Sequence, residues 1–306
     1  MNLFPINQLN LYGLQKNLDE LVKLYEIDKL PNKIMFSGRK GIGKCTLAYH
    51  LINFILSKNE DFSYNLDNYS INKENKTFKL IQNKIHPNFY LIDINLKKKI
   101  IDIFQIRSLI SDLNKSNLNS KPRIVLIDNI ENLNINSVNS LLKILEEPPK
   151  NTYFILISNN KNVLPTIKSR CLNFNIILNN KTSHEISNKL FGSQILTLIN
   201  NNLLDYYFTP GKVSNLINFL SDNDIDYENL SLKKILDLLI DKLYYKKDIS
   251  IKLMTYEFIE LFLNNEFKSK KIDIYHSFLK KIDETKKFNL DDESLFIEFK
   301  SKVLNG

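Results

Sequence analysis

The residues best suited to chemistry lie at positions 38–45, which read GRKGIGKC. This is the G-x-x-x-x-G-K pattern of a phosphate-binding loop, in which glycines let backbone N–H groups turn toward a phosphate while Lys44 reaches the outer phosphates. Such a loop joins a strand to the start of a helix. A short apolar run at 34–36 predicts the strand, and a helix is predicted over 46–56. The sequence therefore predicts a nucleotide site here.

One position of this loop departs from the pattern. Ser or Thr normally follows the lysine and binds Mg²⁺ through its hydroxyl, but this chain has Cys45. A thiol is a poor ligand for a hard cation. Thr46 comes one residue later, about 100° further round a helix, so it cannot simply substitute. We expect that ATP or ADP can bind through the backbone and Lys44, without efficient Mg²⁺-assisted hydrolysis.

A carboxylate that could hold the metal comes later in the chain, at Asp128. In hydrolysing P-loop enzymes of this general type an adjacent glutamate polarises water, whereas Asn129 follows here. An amide cannot act as a general base. Glu131 is interpreted as a charge near the start of the next helix. Together, Cys45 and Asn129 predict a pseudo-ATPase.

The elements that must position these residues follow from apolar patterning. Ile124–Ile127 is an apolar, β-branched run that predicts a buried strand ending at Asp128. A helix is predicted over 135–145, and a second buried strand over Tyr153–Ile157 ends at Ser158. Strand, helix and strand on this spacing imply two parallel neighbours in one sheet. Ligands bind at the carboxyl ends of such strands.

The chain is predicted to form three domains. Residues 1–178 hold the phosphate loop and the sheet, whose further strands are expected at Phe89–Asp93 and near Phe174 to Leu178. Residues 57–85 are polar and predict an irregular insertion within this domain. Residues 179–221 are predicted to be a helical lid, and residues 222–306 a helical bundle. The lid helices are expected at 183–191, 194–204 and 210–221.

Composition narrows the class of protein. The charged fraction of 25% and hydrophobic fraction of 43% are ordinary for a globular protein. Neither a membrane span nor a signal peptide is evident, and the two cysteines support no disulfide framework, so a cytoplasmic location is expected. The net charge of +8 permits a nucleic-acid partner, but the lysines are scattered. Arginine occurs at only four positions, so Arg170 indicates a need for guanidinium geometry.

With these features placed, the chain resembles the clamp-loader branch of the AAA+ family, and within it the delta-prime type of bacterial DNA polymerase III subunit. Four segments carry the resemblance: Leu11-Tyr12-Gly13, the loop at 38–46, the stretch NSLLKILEEPP at 139–149, and Ser169-Arg170-Cys171. The second pair of segments is specific to clamp loaders, whereas the loop alone is not. The resemblance covers roughly residues 1–220. It implies a P-loop AAA+ α/β module with a parallel sheet, followed by a small helical lid and an all-α C-terminal collar domain.

The resemblance also implies a role and partners. The expected role is in a five-membered ring with motor (gamma/tau-type) and delta subunits, which opens a sliding clamp and places it on primer-template DNA. The family's corresponding arginine completes the ATP site of a neighbouring subunit, and Arg170 is the matching position. Many family members hold zinc through four cysteines, but this chain has no cysteine between 57 and 95, so no zinc is expected.

Two other classes stay open at this stage. A competent AAA+ motor ATPase would be favoured by Ser or Thr at 45 and Glu at 129. A nucleic-acid-binding module outside a ring would be favoured by a basic stripe with interleaved aromatics. Lys212, at a predicted helix start, either touches a nucleotide phosphate or is solvated. The candidate nucleotide residues are Gly38, Gly41, Gly43, Lys44, Cys45, Thr46, Asp128 and Lys212.

Overall fold

A computed structural model describes most of the 306-residue chain. The described residues are 4–94, 100–116, 119–159, 163–192, 209–225, 230–266, 272–288 and 290–305. The chain divides into two compact units. The first comprises Met1–Ile186 and Thr209–Lys212, and the second comprises Ser187–Phe208 and Val213–Gly306.

The first unit is built on a five-stranded sheet. Its strands are β1 (Lys33–Ser37), β2 (Phe89–Ile92), β3 (Arg123–Ile127), β4 (Thr152–Ser158) and β5 (Leu172–Asn175). The helices described between residues 4 and 192 are α1 (Gln15–Glu26), α2 (Lys44–Leu56), α3 (Lys76–Gln82), α4 (Ile103–Leu113), α5 (Ile135–Glu146), α6 (Pro165–Lys168) and α7 (Asn180–Phe191). Short 3₁₀ turns occupy Pro5–Asn7 and Ile130–Asn132.

All pairings in this sheet are parallel, in the order β2-β3-β4-β1-β5. The predicted neighbourhood of the two apolar runs is confirmed, because Ile124 of β3 lies opposite Tyr153 of β4. Every residue of β3 is buried. Because both faces of such a parallel strand are covered, all of its residues face the core, and its sequence is a continuous apolar run.

The core lies on both faces of the sheet. One face packs against α4 and α5 through a cluster that includes Met35, Val125 and Phe154. Side chains alternate between faces along a strand. The intervening residues, such as Ile34 and Ile124, are also buried, so the other face is covered as well. A large buried core of this kind holds the carboxyl ends of the strands in fixed positions.

The prediction that residues 57–85 are irregular is wrong in part, because α3 lies within them. The Asn75 side chain caps α3 by accepting a hydrogen bond from the Phe78 backbone N–H at 2.6 Å. Asn75 also accepts a hydrogen bond from Asn53 of α2 at 3.0 Å and donates to the Phe62 carbonyl at 2.5 Å. This short helix is stabilised by capping and buried polar contacts, which hydrophobic periodicity does not report.

The fifth strand was predicted near residues 174–178 but spans Leu172–Asn175. Its only pairing among the described strands is with β1, and that pairing ends where Asn175 faces Ser37. The Ile176 N–H still donates to the Ser37 carbonyl at 2.8 Å. Beyond this point β1 turns into the phosphate loop, so the chain after Ile176 has no strand to pair with.

The described part of the second unit is helical. After α8 (Pro210–Asp222), which crosses the boundary between the units, its helices are α9 (Leu232–Asp241), α10 (Tyr244–Lys247), α11 (Ile249–Glu266), α12 (Ile272–Phe288) and α13 (Asp292–Phe299), followed by a π-helical turn at Lys300–Leu304. The predicted helical C-terminal region is confirmed. The predicted lid helix at 194–204 lies outside the described residues.

Where the structure is described, no helix is both long and apolar enough to cross a membrane.

A phosphate loop and an arginine at opposite edges of the sheet

The predicted phosphate loop connects β1 to α2. Gly43 precedes the first residue of α2 and has a left-handed backbone with φ of 95°, a conformation that glycine adopts without steric cost. Gly41 is also left-handed, with φ of 84°. The loop therefore has the strand, turn and helix start that phosphate binding requires.

Lys44 is directed back into its own loop. Its ammonium donates hydrogen bonds to the carbonyls of Gly38 at 2.9 Å and Arg39 at 2.7 Å, and the residue is only 3% exposed. Burial lowers the pKa of Lys44 to about 8, partly opposed by the negative charge of Asp128. The lysine that would reach a phosphate is thus satisfied by backbone oxygens.

The Cys45 thiol lies close to the Asp128 carboxylate. Burial, together with the charge of this carboxylate, raises the pKa of Cys45 well above its ordinary value. Burial and the nearby charge of Asp93 raise the pKa of Asp128 to about 6. The structure therefore brings together two predicted residues, Cys45 and Asp128, as a neutral thiol against a carboxylate. Thr46, the next residue of α2, is half-buried.

Asn129 links the ends of three strands. It has a left-handed backbone, with φ of 56°, and its amide nitrogen donates to Asp93 Oδ1 at 2.8 Å. Its amide oxygen accepts a hydrogen bond from the Asn159 amide at 2.7 Å. Glu131 accepts from the Asn159 backbone N–H at 3.3 Å, so it braces the end of β4. Asn129 therefore has a structural function at the site.

Replacing Asn129 with glutamate should destabilise the first unit. The substitution breaks two side-chain hydrogen bonds, forces a residue less tolerant than asparagine into a left-handed backbone, and places a carboxylate beside Asp93. We expect the free energy of unfolding to fall by about 2 kcal/mol. Urea unfolding followed by circular dichroism measures this change.

A matched variant separates backbone strain from loss of the network. Asn59 is exposed and also left-handed, with φ of 72°, so Asn59→Glu carries the strain without the contacts to Asp93 and Asn159. It should cost less than half as much as Asn129→Glu. Equal losses in the two variants would mean that the Asn129 hydrogen bonds contribute nothing.

The segment Thr209–Lys212 lies against the phosphate loop. Thr209 donates from its hydroxyl to the Lys40 carbonyl at 2.8 Å, and the Gly211 N–H donates to the Gly41 carbonyl at 2.9 Å. A Cβ atom added to Gly211 would lie 2.7 Å from Gly41 Cα, so only glycine permits this approach. The structure thus brings Lys212 to the loop through its backbone.

Arg170 lies in a different place and is held by its own chain. Its Nε donates to Glu146 Oε1 at 3.1 Å and its Nη2 contacts the same oxygen. Its Nη1 donates to the Thr166 carbonyl at 2.9 Å and approaches Ser169 Oγ at 3.4 Å. The Arg170 side chain keeps 32% exposure and that of Glu146 keeps 52%. This pair is therefore accessible at the protein surface.

Topology separates this pair from the phosphate loop. Arg170 comes just before β5, and Glu146 ends α5 just before β4. The loop follows the end of β1, which is parallel to both strands. Each strand of five residues spans roughly 13 Å at about 3.3 Å per residue. Arg170 and the loop of the same chain thus lie at opposite edges of the sheet.

The sequence analysis did not identify two residues that contact the predicted site residues, Asp93 and Glu146. Asp93 follows β2 at the same edge as Asp128, and its position at a strand end was the available signal. Glu146 lies 24 residues from its partner Arg170, and no pattern in the sequence indicates that pair. Among the residues that the structure describes, no group of three or more His, Cys, Asp or Glu side chains could hold a metal ion.

Comparisons with known proteins identify the family of the chain. A family model described as DNA polymerase III, delta subunit matches residues 13–179. DNA polymerase III subunit delta' of Buchnera aphidicola subsp. Baizongia pistaciae is 26% identical over 314 residues, covering 88% of this chain and 90% of the relative. The subunit delta' of Pseudomonas aeruginosa is 32% identical over 136 residues, covering 44% of this chain and 40% of the relative.

A solved structure supports the fold. The DNA polymerase III gamma subunit-related protein of Thermotoga maritima has a TM-score of 0.51 and 18% identity, covering 92% of this chain and 97% of that chain. The parallel sheet, the phosphate loop and the helical C-terminal region define an AAA+-like α/β protein. The family model matches more than half of the length of this chain, so the chain belongs to the DNA polymerase III delta subunit family. Within that family it is a delta-prime-like clamp-loader subunit of DNA replication.

Proposed function

We propose that this chain is a non-hydrolysing subunit of the clamp loader that supplies Arg170 to the ATP site of a neighbouring subunit. The observation that carries the proposal is the position of Arg170. It lies partly exposed at the edge of the sheet opposite its own phosphate loop, where it cannot serve a nucleotide bound to the same chain. A guanidinium at that edge is suited to act across a subunit contact.

The state of the loop supports the lack of hydrolysis. Cys45 lies close to Asp128, the carboxylate that would otherwise share a metal ion with a hydroxyl. Asn129 occupies the position of a general base and its amide is engaged with Asp93 and Asn159. The residues present could hold nucleotide phosphates through the loop, Lys44 and the start of α2, but they do not fit a Mg²⁺-dependent hydrolytic site.

The proposed partners are motor subunits of the gamma/tau type, a delta subunit and, through the complex, a sliding clamp and primer-template DNA. Curated relatives of this chain include DNA polymerase III subunit gamma/tau of Mycoplasma genitalium, which is 32% identical over 171 residues. We place the work of the complex in the cytoplasm. We also propose that residues 1–178, 179–221 and 222–306 act as AAA+ module, lid and collar.

The isolated chain should hydrolyse ATP negligibly. Because the metal ligand and the base are both missing, we expect turnover far below the roughly 1–10³ s⁻¹ typical of enzymes. A steady-state phosphate-release assay with Mg²⁺ measures it, with an isolated motor subunit as the positive control. Robust turnover that disappears in Lys44→Ala would contradict the proposal and restore the motor ATPase interpretation.

Reconstitution tests the function as a whole. The chain is mixed with motor, delta and clamp proteins, the complex is isolated by size exclusion, and loading of the clamp onto primed DNA is measured. We expect one assembly containing this chain, with loading that depends on its presence. An assembly that forms and loads clamps equally well without the chain would overturn the proposal.

A further inference from the structure

Two elements of the first unit hold the guanidinium of Arg170 from different sides. Arginine has five N–H donors in a rigid plane. Glu146, the last residue of α5, accepts from Nε and Nη2, and the Thr166 carbonyl of α6 accepts from Nη1. Contacts to both branches of the guanidinium fix the direction of its plane as well as its position.

The contact with Glu146 leaves donors available. Both hydrogen bonds go to a single carboxylate oxygen, Oε1, on the Nε side of the guanidinium. Only one of the two Nη2 N–H groups can be used in this way, and the Arg170 side chain remains 32% exposed. A carboxylate that sequestered the arginine would instead be expected to use both oxygens in the bidentate geometry that favours such pairs.

The stability of the fold does not account for this pair. Glu146 is 52% exposed, and ion pairs in contact with water contribute little to the free energy of unfolding. Such a contact does restrict the conformation of the arginine side chain. A long side chain that is already fixed loses less rotamer freedom when its ligand binds. The pair is therefore better suited to orientation than to stability.

We propose that Glu146 is a positioning residue for Arg170. It holds the Nε side so that the outer N–H groups of the guanidinium face a nucleoside triphosphate bound by the neighbouring subunit. This inference rests on the proposed function, since it gives Arg170 a phosphate ligand in trans. The orientation of Arg170 would then depend on Glu146, the first glutamate of the LEEPP segment.

The test uses the reconstituted complex and ATP hydrolysis at the adjacent motor subunit's site, which single-turnover mixing over a range of ATP concentrations separates from the other sites. Glu146→Ala should lower kcat at that site by about two- to fivefold, the range expected from losing one exposed ion pair, with KM unchanged. Glu146→Gln should retain most of kcat, because its amide oxygen can accept the same hydrogen bonds. The neighbouring Glu147→Ala removes an equal charge from an exposed residue and should match the unmutated complex.

A double variant makes the test specific to Arg170. In an Arg170→Ala background, Glu146→Ala should lower kcat no further, because the glutamate acts only through the arginine. Thermal unfolding of each isolated variant checks that it is folded. An additional loss in the double variant would assign Glu146 a separate role and overturn the inference.

The remaining outcomes separate this inference from the proposed function. If Arg170→Ala lowers kcat while Glu146→Ala does not, the inference fails and the proposed function stands. A higher kcat in Glu146→Ala would make the glutamate a competitor for the arginine, which also overturns it. If Arg170→Ala itself leaves kcat unchanged, the proposed function fails and the role of Glu146 fails with it.

Discussion

Arg170→Ala in the assembled clamp loader should nearly abolish ATP hydrolysis at one site, that of the adjacent motor subunit. Phosphoryl transfer builds negative charge on the equatorial oxygens, and a guanidinium supplied in trans contributes about 10³–10⁵ in rate. Because other sites in the ring keep turning over, the ATPase rate of the whole complex should fall less than this. Clamp loading, which requires the sites to act together, should fall more than bulk hydrolysis.

Arg170→Lys distinguishes geometry from charge. Lysine keeps the positive charge but lacks the planar set of donors, and it cannot make the two-sided contact with Glu146 and Thr166. We therefore expect Arg170→Lys to fail nearly as badly as Arg170→Ala. Arg107→Ala is the control, since this arginine is exposed on α4, and its complexes should hydrolyse ATP normally in the absence of DNA.

Complexes must be compared at equal subunit stoichiometry. Arg170 is partly exposed and its loss leaves no large cavity, so the variants should fold and join the complex as the unmutated chain does. Single-turnover hydrolysis on rapid mixing isolates the slow site from the others. If Arg170→Ala complexes load clamps at the unmutated rate, Arg170 is a structural residue that only secures the end of α5 through Glu146.

The buried strands and the phosphate loop could be predicted because their physics is local. A strand covered on both faces must be a continuous apolar run, as Ile124–Ile127 is, and glycines at fixed spacing report a left-handed turn. The helix over 135–146 followed from its apolar spacing in the same way. Their arrangement as parallel neighbours then followed from connection rules, and the register between β3 and β4 agrees with it.

Two parts of the fold, α3 and the end of β5, could not be predicted because they depend on contacts between residues that are distant in the sequence. α3 exists because Asn75 caps it and joins it to Asn53 of α2, and asparagines are too abundant in this chain for one of them to stand out. The end of β5 is set by the end of β1, where Ser37 leads into the phosphate loop. Neither feature is visible in the pattern of the segment concerned.

The candidate site also combines features that local sequence predicts with features that depend on contacts between distant residues. The residue types at positions 44, 45, 128 and 129 could be compared with those that a phosphate and metal site requires. The proximity of Cys45 to Asp128 and the hydrogen bonds by which Asn129 links Asp93 to Asn159 could not be read in this way. Asn129 is an amide at the position where a hydrolysing enzyme would have a base, and it also has a structural function that only the fold reveals.

Acid should destabilise the first unit through two buried histidines. His50 is fully buried, with Nδ1 2.8 Å from the Tyr64 hydroxyl, and burial lowers its pKa to about 4. Burial, with the nearby charge of Lys121, lowers the pKa of His86 to about 4 as well. Both histidines are therefore neutral in the fold.

The sign of the effect follows from these directions. A histidine whose pKa is lower in the folded than in the unfolded chain stabilises the fold fully above its ordinary value of 6.5, and that stability is lost as pH falls toward 4. Asp128 acts in the opposite direction, because its raised pKa favours the folded state as pH falls from about 6. The net loss between pH 6.5 and 4 should be about 3 kcal/mol.

Urea unfolding at a series of pH values from 7.5 to about 4 checks this prediction and assigns it. His50→Gln removes one titrating group, and the variant should be less stable than the unmutated chain at neutral pH. Below pH 6.5 its free energy of unfolding should decline less steeply than that of the unmutated chain. The difference between the two slopes should reach up to about 1.4 kcal/mol per pH unit. His184→Gln is the matched control, because His184 is exposed on α7, and its curve should run parallel to that of the unmutated chain. A His50→Gln curve that is also parallel to the unmutated one would mean that His50 is not the group whose protonation destabilises the fold.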